Sequence, residues 1–226
     1  MDQPHDKPTR VYGRRKGRPL RVRKSHLMNE LLPRLRITLM PGTRIRLQDL
    51  FEKSLSATVL EIGFGGGEHL AAQAKLHLDT GFIGCEPFVN GVASLLDHLD
   101  RDGIDNVRVF DDDARLLLDA LPDASLAKAF VLFADPWPKK RHAERRFIGP
   151  ENLARLARVL KPGALLRIAS DHPGLVEWMR SCLQGHSAFA CVYDSTVSPV
   201  DWIQTRYQEK ALMAGRQPVF MDYRKV

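Results

Sequence analysis

The 226 residues hold only three cysteines, Cys85, Cys182 and Cys191, far apart and with no Cys-x-x-Cys spacing. An odd, scattered set argues against a disulfide framework and offers no zinc-ligand pattern. All three are expected as reduced, mostly buried thiols, and no metal site is expected. No apolar run approaches the roughly 20 residues that a membrane helix needs. The opening segment, Met1 to Lys24, is basic but lacks the apolar core of a signal peptide. These absences point to a cytoplasmic protein with no membrane partner. No internal repeat or low-complexity segment is present, and nothing points to an obligatory protein partner.

Acid is missing from one segment and concentrated in another. Between Lys7 and Lys24 there are nine Lys or Arg and no acid. Between Asp79 and Asp123 eleven acids stand against three arginines (Arg101, Arg108 and Arg115), a balance of −8 inside a chain of net charge +7. A basic arm suits a phosphate backbone. Acids at strand ends suit a hydroxyl-rich or cationic ligand. The pairing suggests two ligands of different charge, although charge runs are more often solvated faces.

The pattern divides the chain into a basic, partly mobile N-terminal arm, residues 1–43, and a folded domain, residues 44–226. Within the arm only Leu31 to Leu39 looks able to pack. From Ala57 short apolar runs alternate with amphipathic segments, the signature of a parallel α/β sheet. Strands are predicted at Thr58–Ile62, Gly81–Cys85, Val107–Phe110, Ala127–Phe133, Ala164–Ala169 and Phe189–Tyr193. Helices are predicted after the first glycine loop through Lys75, at Val89–Leu99, around Leu116–Leu118, at Asn152–Leu160 and near Leu175–Leu183. Lys161-Pro162-Gly163 reads as a helix stop. The chain ends in a basic-aromatic tail. The expected fold is a doubly wound, mostly parallel Rossmann-like sheet with flanking helices.

Four acids recur at one level of that sheet: Glu61, Glu86, Asp113 and Asp135. Each lies at or just past a carboxyl end, where open α/β sheets bind ligands. Asp113 taken alone reads equally well as a helix N-cap. The loop Gly63-Phe64-Gly65-Gly66-Gly67-Glu68 puts Glu where a nicotinamide site expects its third glycine. Glu86 would accept from a ribose diol and repel a 2′-phosphate. After the fourth strand comes Asp135-Pro136-Trp137-Pro138-Lys139-Lys140-Arg141-His142, an acid and an aromatic face beside several cations. Such a loop suits a nucleic-acid base meeting chemistry.

An acid within the first strand followed by Gly-x-Gly-Gly-Gly resembles the first motif of Rossmann-like S-adenosylmethionine (SAM) methyltransferases. Adding the Asp-Pro-Trp segment, Gly84-Cys85-Glu86-Pro87, Ser170-Asp171, Thr205-Arg206-Tyr207 and the Arg-rich opening Gly13 to Arg18, the chain resembles the bacterial tRNA (guanine-N7-)-methyltransferase family. The resemblance implies SAM as cofactor, contacted by Glu61, Gly63, Gly65, Glu86, Asp113 and Asp135, with Asp135 also the active-site acid. It implies tRNA as partner, methylated on a guanosine at position 46 of the variable loop. Lys139, Asp171 and the segment Thr205, Arg206, Tyr207 and Gln208 would contact the substrate. Arg141, His142, Ala143, Glu144, Arg145 and Arg146 would lie against the RNA backbone. The chain departs from the family at Gln208, where the family carries Glu. Either Gln208 keeps the hydrogen-bonding part of that role, or Glu209 substitutes.

Guanine N7 carries a lone pair and no proton, so its methylation needs no general base. Asp135 is therefore expected to act by position and field. A donor must grip O6 while N7 stays free, and Lys139, Arg206 and the Thr205 hydroxyl are the candidates. Trp137 reads equally as a stacking platform or a structural wedge, and His142 as a surface residue. Asp171 reads either as a contact to the guanine Watson–Crick edge or as an N-cap. The rival readings are a methyltransferase for an exocyclic or glutamine amine, a non-catalytic RNA-binding module and an NAD-dependent oxidoreductase. Trp137 in place of a second proline, the retained acids and Glu68 argue against them in turn.

Overall fold

Residues 12–40, 42 and 44–226 are described by a computed structural model. Lys7 and Arg10, two cations of the arm, lie outside the described residues. Seven strands form one sheet: β1 (Ala57–Ile62), β2 (Thr80–Cys85), β3 (Val107–Phe110), β4 (Leu126–Leu132), β5 (Leu160–Ser170), β6 (Phe189–Ser195) and β7 (Val219–Lys225). Their order is β3-β2-β1-β4-β5-β7-β6. β1 to β5 pair in parallel, and β7 runs antiparallel between β5 and β6. The strand order reverses between β1 and β4, which opens a crevice past their carboxyl ends.

The period-two alternation of β1 explains both faces of the sheet. Leu60 and Ile62 pack with α5 (Ala114–Ala120), α6 (Pro150–Val159) and α7 (Pro173–Gln184). Val59 faces the other layer, built from α1 (Val22–Glu30), α2 (Leu32–Leu35), α3 (Glu68–Leu76) and α4 (Val89–Asp102). Both layers are largely apolar, as a doubly covered sheet requires, with Glu61, His69 and Gln73 a buried polar exception on the α3 side.

The sequence expects packing within the arm only from Leu31 onward, and the structure adds α1 ahead of it. Leu27 is buried there, while Arg23 of α1 reaches Asp97 and Asp100 of α4 at 2.7 Å each. Arg15 pairs with Asp112 at 3.3 Å and Arg36 with Asp111 at 2.7 Å. Part of the basic arm thus neutralises the acidic centre of the same chain. The two charge blocks are in part each other's ligand.

Two further differences have physical causes. The helix stop Lys161-Pro162-Gly163 falls inside β5, where pairing steps from Leu126↔Leu160 to Lys128↔Leu165 and Gly163 takes φ +79°. The extra residues leave the ladder as an irregularity rather than forming a separate turn. The basic-aromatic tail holds α8 (Arg206–Met213) and the inner strand β7. Asp222 interrupts the apolar run of β7. Its carboxylate is buried against Arg167 of β5, with two contacts of 2.8 Å, and Asp201 meets the same guanidinium at 2.8 Å. Of the cysteines, Cys85 is buried and Cys182 half-buried, whereas Cys191 is exposed on the edge strand β6, against the expectation of mostly buried thiols.

Removing one partner of a buried ion pair leaves an uncompensated charge, at a cost of about 3–5 kcal/mol. Arg167→Leu is expected to destabilise the fold by about 3 kcal/mol in urea unfolding, and the double change Arg167→Leu with Asp222→Leu to restore most of the loss. Equal instability of the double variant would contradict the pairing account.

Candidate active site

The crevice at the switch point encloses about 430 Å³ and is lined by the ends of β1, β2 and β4 with the loops that follow them. Gly63 (φ +73°) and Gly65 (φ +58°) turn the chain sharply after β1. A methyl group on Gly91, in the first turn of α4, would sit 2.3 Å from the Gly65 carbonyl oxygen. The loop therefore needs glycine on the facing helix as well as in itself.

Glu86 holds this loop in place. Its Oε2 accepts from the Gly65 N–H at 2.9 Å and its Oε1 from the Phe88 N–H at 3.0 Å. Burial raises its pKa above the ordinary glutamate value, opposed by those two backbone hydrogen bonds. Each oxygen still has a lone pair for a ligand donor. Asp113, one loop further on, caps α5, accepting from the Arg115 N–H at 2.9 Å and from its guanidinium at 2.6 Å. It lines the crevice nonetheless.

Asp135 is exposed on the loop after β4, between two non-glycine residues in the left-handed region, Phe133 (φ +53°) and Trp137 (φ +41°). Such backbone persists only where the surroundings over-determine it. Arg146 does part of that, donating from Nε to the Pro136 carbonyl at 3.1 Å and from Nη2 to the Trp137 carbonyl at 3.2 Å. A residue expected against RNA is thus occupied in holding the Asp-Pro-Trp loop. Trp137 meets Tyr12 edge-on at 6.4 Å and His142 at 6.0 Å. The Arg145 guanidinium lies 4.9 Å from the Tyr12 ring and 5.2 Å from that of Trp137. Desolvation, then Arg145, Arg141 and Lys139, push the His142 pKa down.

Residues 12–18 cross the mouth of the crevice, which sequence reasoning missed. The Arg15 carbonyl accepts from the Val89 N–H at 2.9 Å. Asn90 clasps the same segment, accepting from the Gly17 N–H and donating to the Arg18 carbonyl, both at 2.7 Å. Tyr12, Gly13 and Arg14 line the crevice beside Asp135. The glycines that interrupt the Arg run were the available signal: a Cβ on Gly17 would meet Asn90 at 2.7 Å.

The substrate candidates divide. Tyr207 roofs the glycine loop, within 3.0 Å of where a Gly65 Cβ would stand, and stacks on Phe133 at 6.4 Å. Thr205 caps α8, its hydroxyl oxygen accepting from the Gln208 N–H at 3.1 Å. Gln208 Oε1 accepts from the Trp202 indole at 2.6 Å, while Glu209 is exposed. Arg206 lies over the Tyr207 ring at 5.7 Å. Glu144, Arg145 and Arg146 line the crevice; Lys139, Arg141, His142 and Ala143 lie outside its lining. Asp171 also lies outside it and pairs with Arg216 at 2.6 Å; His172, not Asp171, caps α7. Glu61 is buried beneath the loop against His69.

The family described as putative methyltransferase matches residues 56–221. The tRNA (guanine-N(7)-)-methyltransferase of Paramagnetospirillum magneticum is 50% identical, covering 96% of this chain and 92% of that protein. The protein of the same name from Rhodospirillum rubrum is 45% identical over 97% of this chain and 90% of its own length. Among solved structures, the 16S rRNA methyltransferase KamB superposes with a TM-score of 0.56 at 16% identity, over 76% of this chain and 89% of that one, a likeness of fold. An rRNA methylase from Streptococcus thermophilus gives 0.53 at 15% identity, over 83% and 99%. By its family match and its near full-length identity to these relatives, the chain belongs to the tRNA (guanine-N7-)-methyltransferase family.

Proposed function

We propose that this enzyme transfers the methyl group of SAM to N7 of a guanosine in tRNA, at position 46 of the variable loop, forming 7-methylguanosine. The observation that carries the reading is the convergence of the glycine loop, Glu86, Asp113 and Asp135 on one crevice whose mouth is rimmed by Arg14, Arg145 and Arg146. The donor set fits SAM. Glu86 keeps a free lone pair on each oxygen for a ribose diol, and an acidic crevice suits a ligand with a sulfonium and an ammonium. Gly63, Gly65, Asp113 and Glu61 would complete its surroundings.

SAM, when bound, supplies an electrophilic methyl group on a sulfonium. Guanine N7 has no proton to lose, so no residue of the chain needs to act as base. Asp135 holds the reacting partners and favours the positive charge that develops on the purine. Thr205, whose oxygen already accepts from Gln208, keeps its O–H to donate to O6, with Arg206 and Lys139 the alternative donors. Tyr207 closes the loop from above. Gln208 takes the family's Glu position as an acceptor anchoring α8 to Trp202, leaving Glu209 in solvent. Asp171, with Arg216, and the segment Arg141 to Arg145 extend the RNA-facing side, and Arg146 serves that side through the loop it holds.

Incubation with methyl-labelled SAM and unmodified tRNA, followed by digestion to nucleosides, is expected to put the label in 7-methylguanosine; label in any other nucleoside would refute the reading. Asp135→Asn is expected to lower turnover at saturating SAM about a hundredfold, as for loss of one preorganised electrostatic contact. Unaltered turnover would remove Asp135 from the chemistry.

Ionised Glu86 accepts both ribose hydroxyls, whereas its protonated form must spend one oxygen as a donor. Because burial raises its pKa, SAM affinity is expected to begin falling, as pH is lowered, at a higher pH than an ordinary glutamate would give. Titrating binding in wild type and Glu86→Gln checks this, the limb being absent from the variant. Binding of tRNA is expected to weaken at least a hundredfold between roughly 50 and 200 mM salt, through counterion release from several phosphate contacts. A flat response in a filter-binding assay would count against an RNA substrate.

A further inference from the structure

Glu61 and His69 form a buried pair that lies outside the lining of the large crevice. Both side chains are 4% exposed, and His69 Nδ1 lies 2.7 Å from Glu61 Oε2. The Gln73 amide nitrogen is 3.4 Å from the other ring nitrogen, Nε2. That amide donates, so Nε2 is assigned as acceptor and the ring proton to Nδ1, where it points at Glu61. Phe130 meets the imidazole edge-on at 4.9 Å, and Trp202 lies at 6.1 Å on a tilted plane, so the ring has little freedom to turn. His69 is the only hydrogen-bond partner of the Glu61 carboxylate among the described residues.

Glu61 also lines a cavity of about 20 Å³, together with Gly63, Phe133, Thr205 and Tyr207. Gly63, Phe133 and Tyr207 line the large crevice too, so the small cavity is its annex. Its volume matches a single water-sized group. The Glu61 carboxylate, with His69 as its one partner among the described residues, has lone pairs left to accept from a ligand, and a small group rich in N–H donors, such as an ammonium, would fill them. Glu68 also lines the annex, but its carboxylate lies toward Arg206 at 4.0 Å.

We infer that His69 is a positioning residue: its Nδ1–H holds Glu61 so that the carboxylate receives the ammonium of the cofactor's methionine end in the annex. The inference rests on the reading of the crevice as a SAM site. It assigns His69 to the amino-acid end of the ligand and to no other part. S-adenosylhomocysteine carries that ammonium, whereas 5′-methylthioadenosine lacks the amino-acid end and keeps the nucleoside.

Calorimetric binding of both ligands to the full chain tests the assignment. His69→Phe removes the donor and keeps a flat ring; His69→Asn keeps an N–H donor at the δ position. S-adenosylhomocysteine is expected to bind the Phe variant at least tenfold more weakly than wild type and the Asn variant within about threefold of wild type, with methylthioadenosine unchanged in both. Equal losses for both ligands, or no loss for either, would overturn the inference. Should the Phe variant fail to fold, the Asn variant decides, because selective retention of S-adenosylhomocysteine affinity supports the donor role and its loss refutes it. Failure of wild type to bind either nucleoside ligand would instead overturn the SAM reading on which the inference stands.

Discussion

Two backbone N–H groups, those of Gly65 and Phe88, meet on the Glu86 carboxylate, and the crevice is arranged around that junction. It ties the turn after β1 to the turn after β2, the two segments that must stay in register for any ligand to span them. A buried carboxylate is tolerated there because the two donors offset its desolvation. Its remaining lone pairs face the crevice. The requirement for glycine at Gly91 follows from the same close approach, since the loop so held lies against α4.

Charge is shared between intramolecular and ligand-facing roles. Arg15 and Arg36 neutralise acids just past the edge strand β3, Arg23 neutralises acids of α4, and together they fasten the arm across this part of the fold. Arg146 secures the carbonyls of the Asp-Pro-Trp loop, where two left-handed residues would otherwise relax. What is left for a polyanion is a subset of the cations counted along the chain. An RNA-binding surface is therefore poorly estimated from net charge, because a surface ion pair removes a cation from it while adding little stability.

The side that presents Thr205 and Tyr207 depends on a second buried network. Arg167 joins Asp222 of β7 to Asp201 in the segment before α8, and Trp202 packs on Phe220 while donating to Gln208. Sheet, segment and helix are fixed together, and Tyr207 arrives over Gly65 in consequence. The Gln in place of the family's Glu suits this arrangement, since a neutral carbonyl accepts an indole N–H without bringing a further charge to the half-buried site.

Five parallel strands were legible because strands covered on both faces are mostly apolar, and the acids at their ends stood out against those runs. β7 was not, because a buried Asp222 looks like surface until Arg167 is known to be its partner. Nor was the strap of residues 12–18, whose contacts join positions more than seventy residues apart. The sequence by itself determined the fold class, the glycine loop and which acids stand at strand ends, since these follow from local periodicity and spacing. Only the tertiary structure decided what each polar side chain meets: Glu61 meets His69, Asp171 meets Arg216, Arg146 meets loop carbonyls, and Glu86 meets the crevice. Side-chain partnership is a matter of distance in space, and one-dimensional spacing carries no information about it once the chain has crossed between strands.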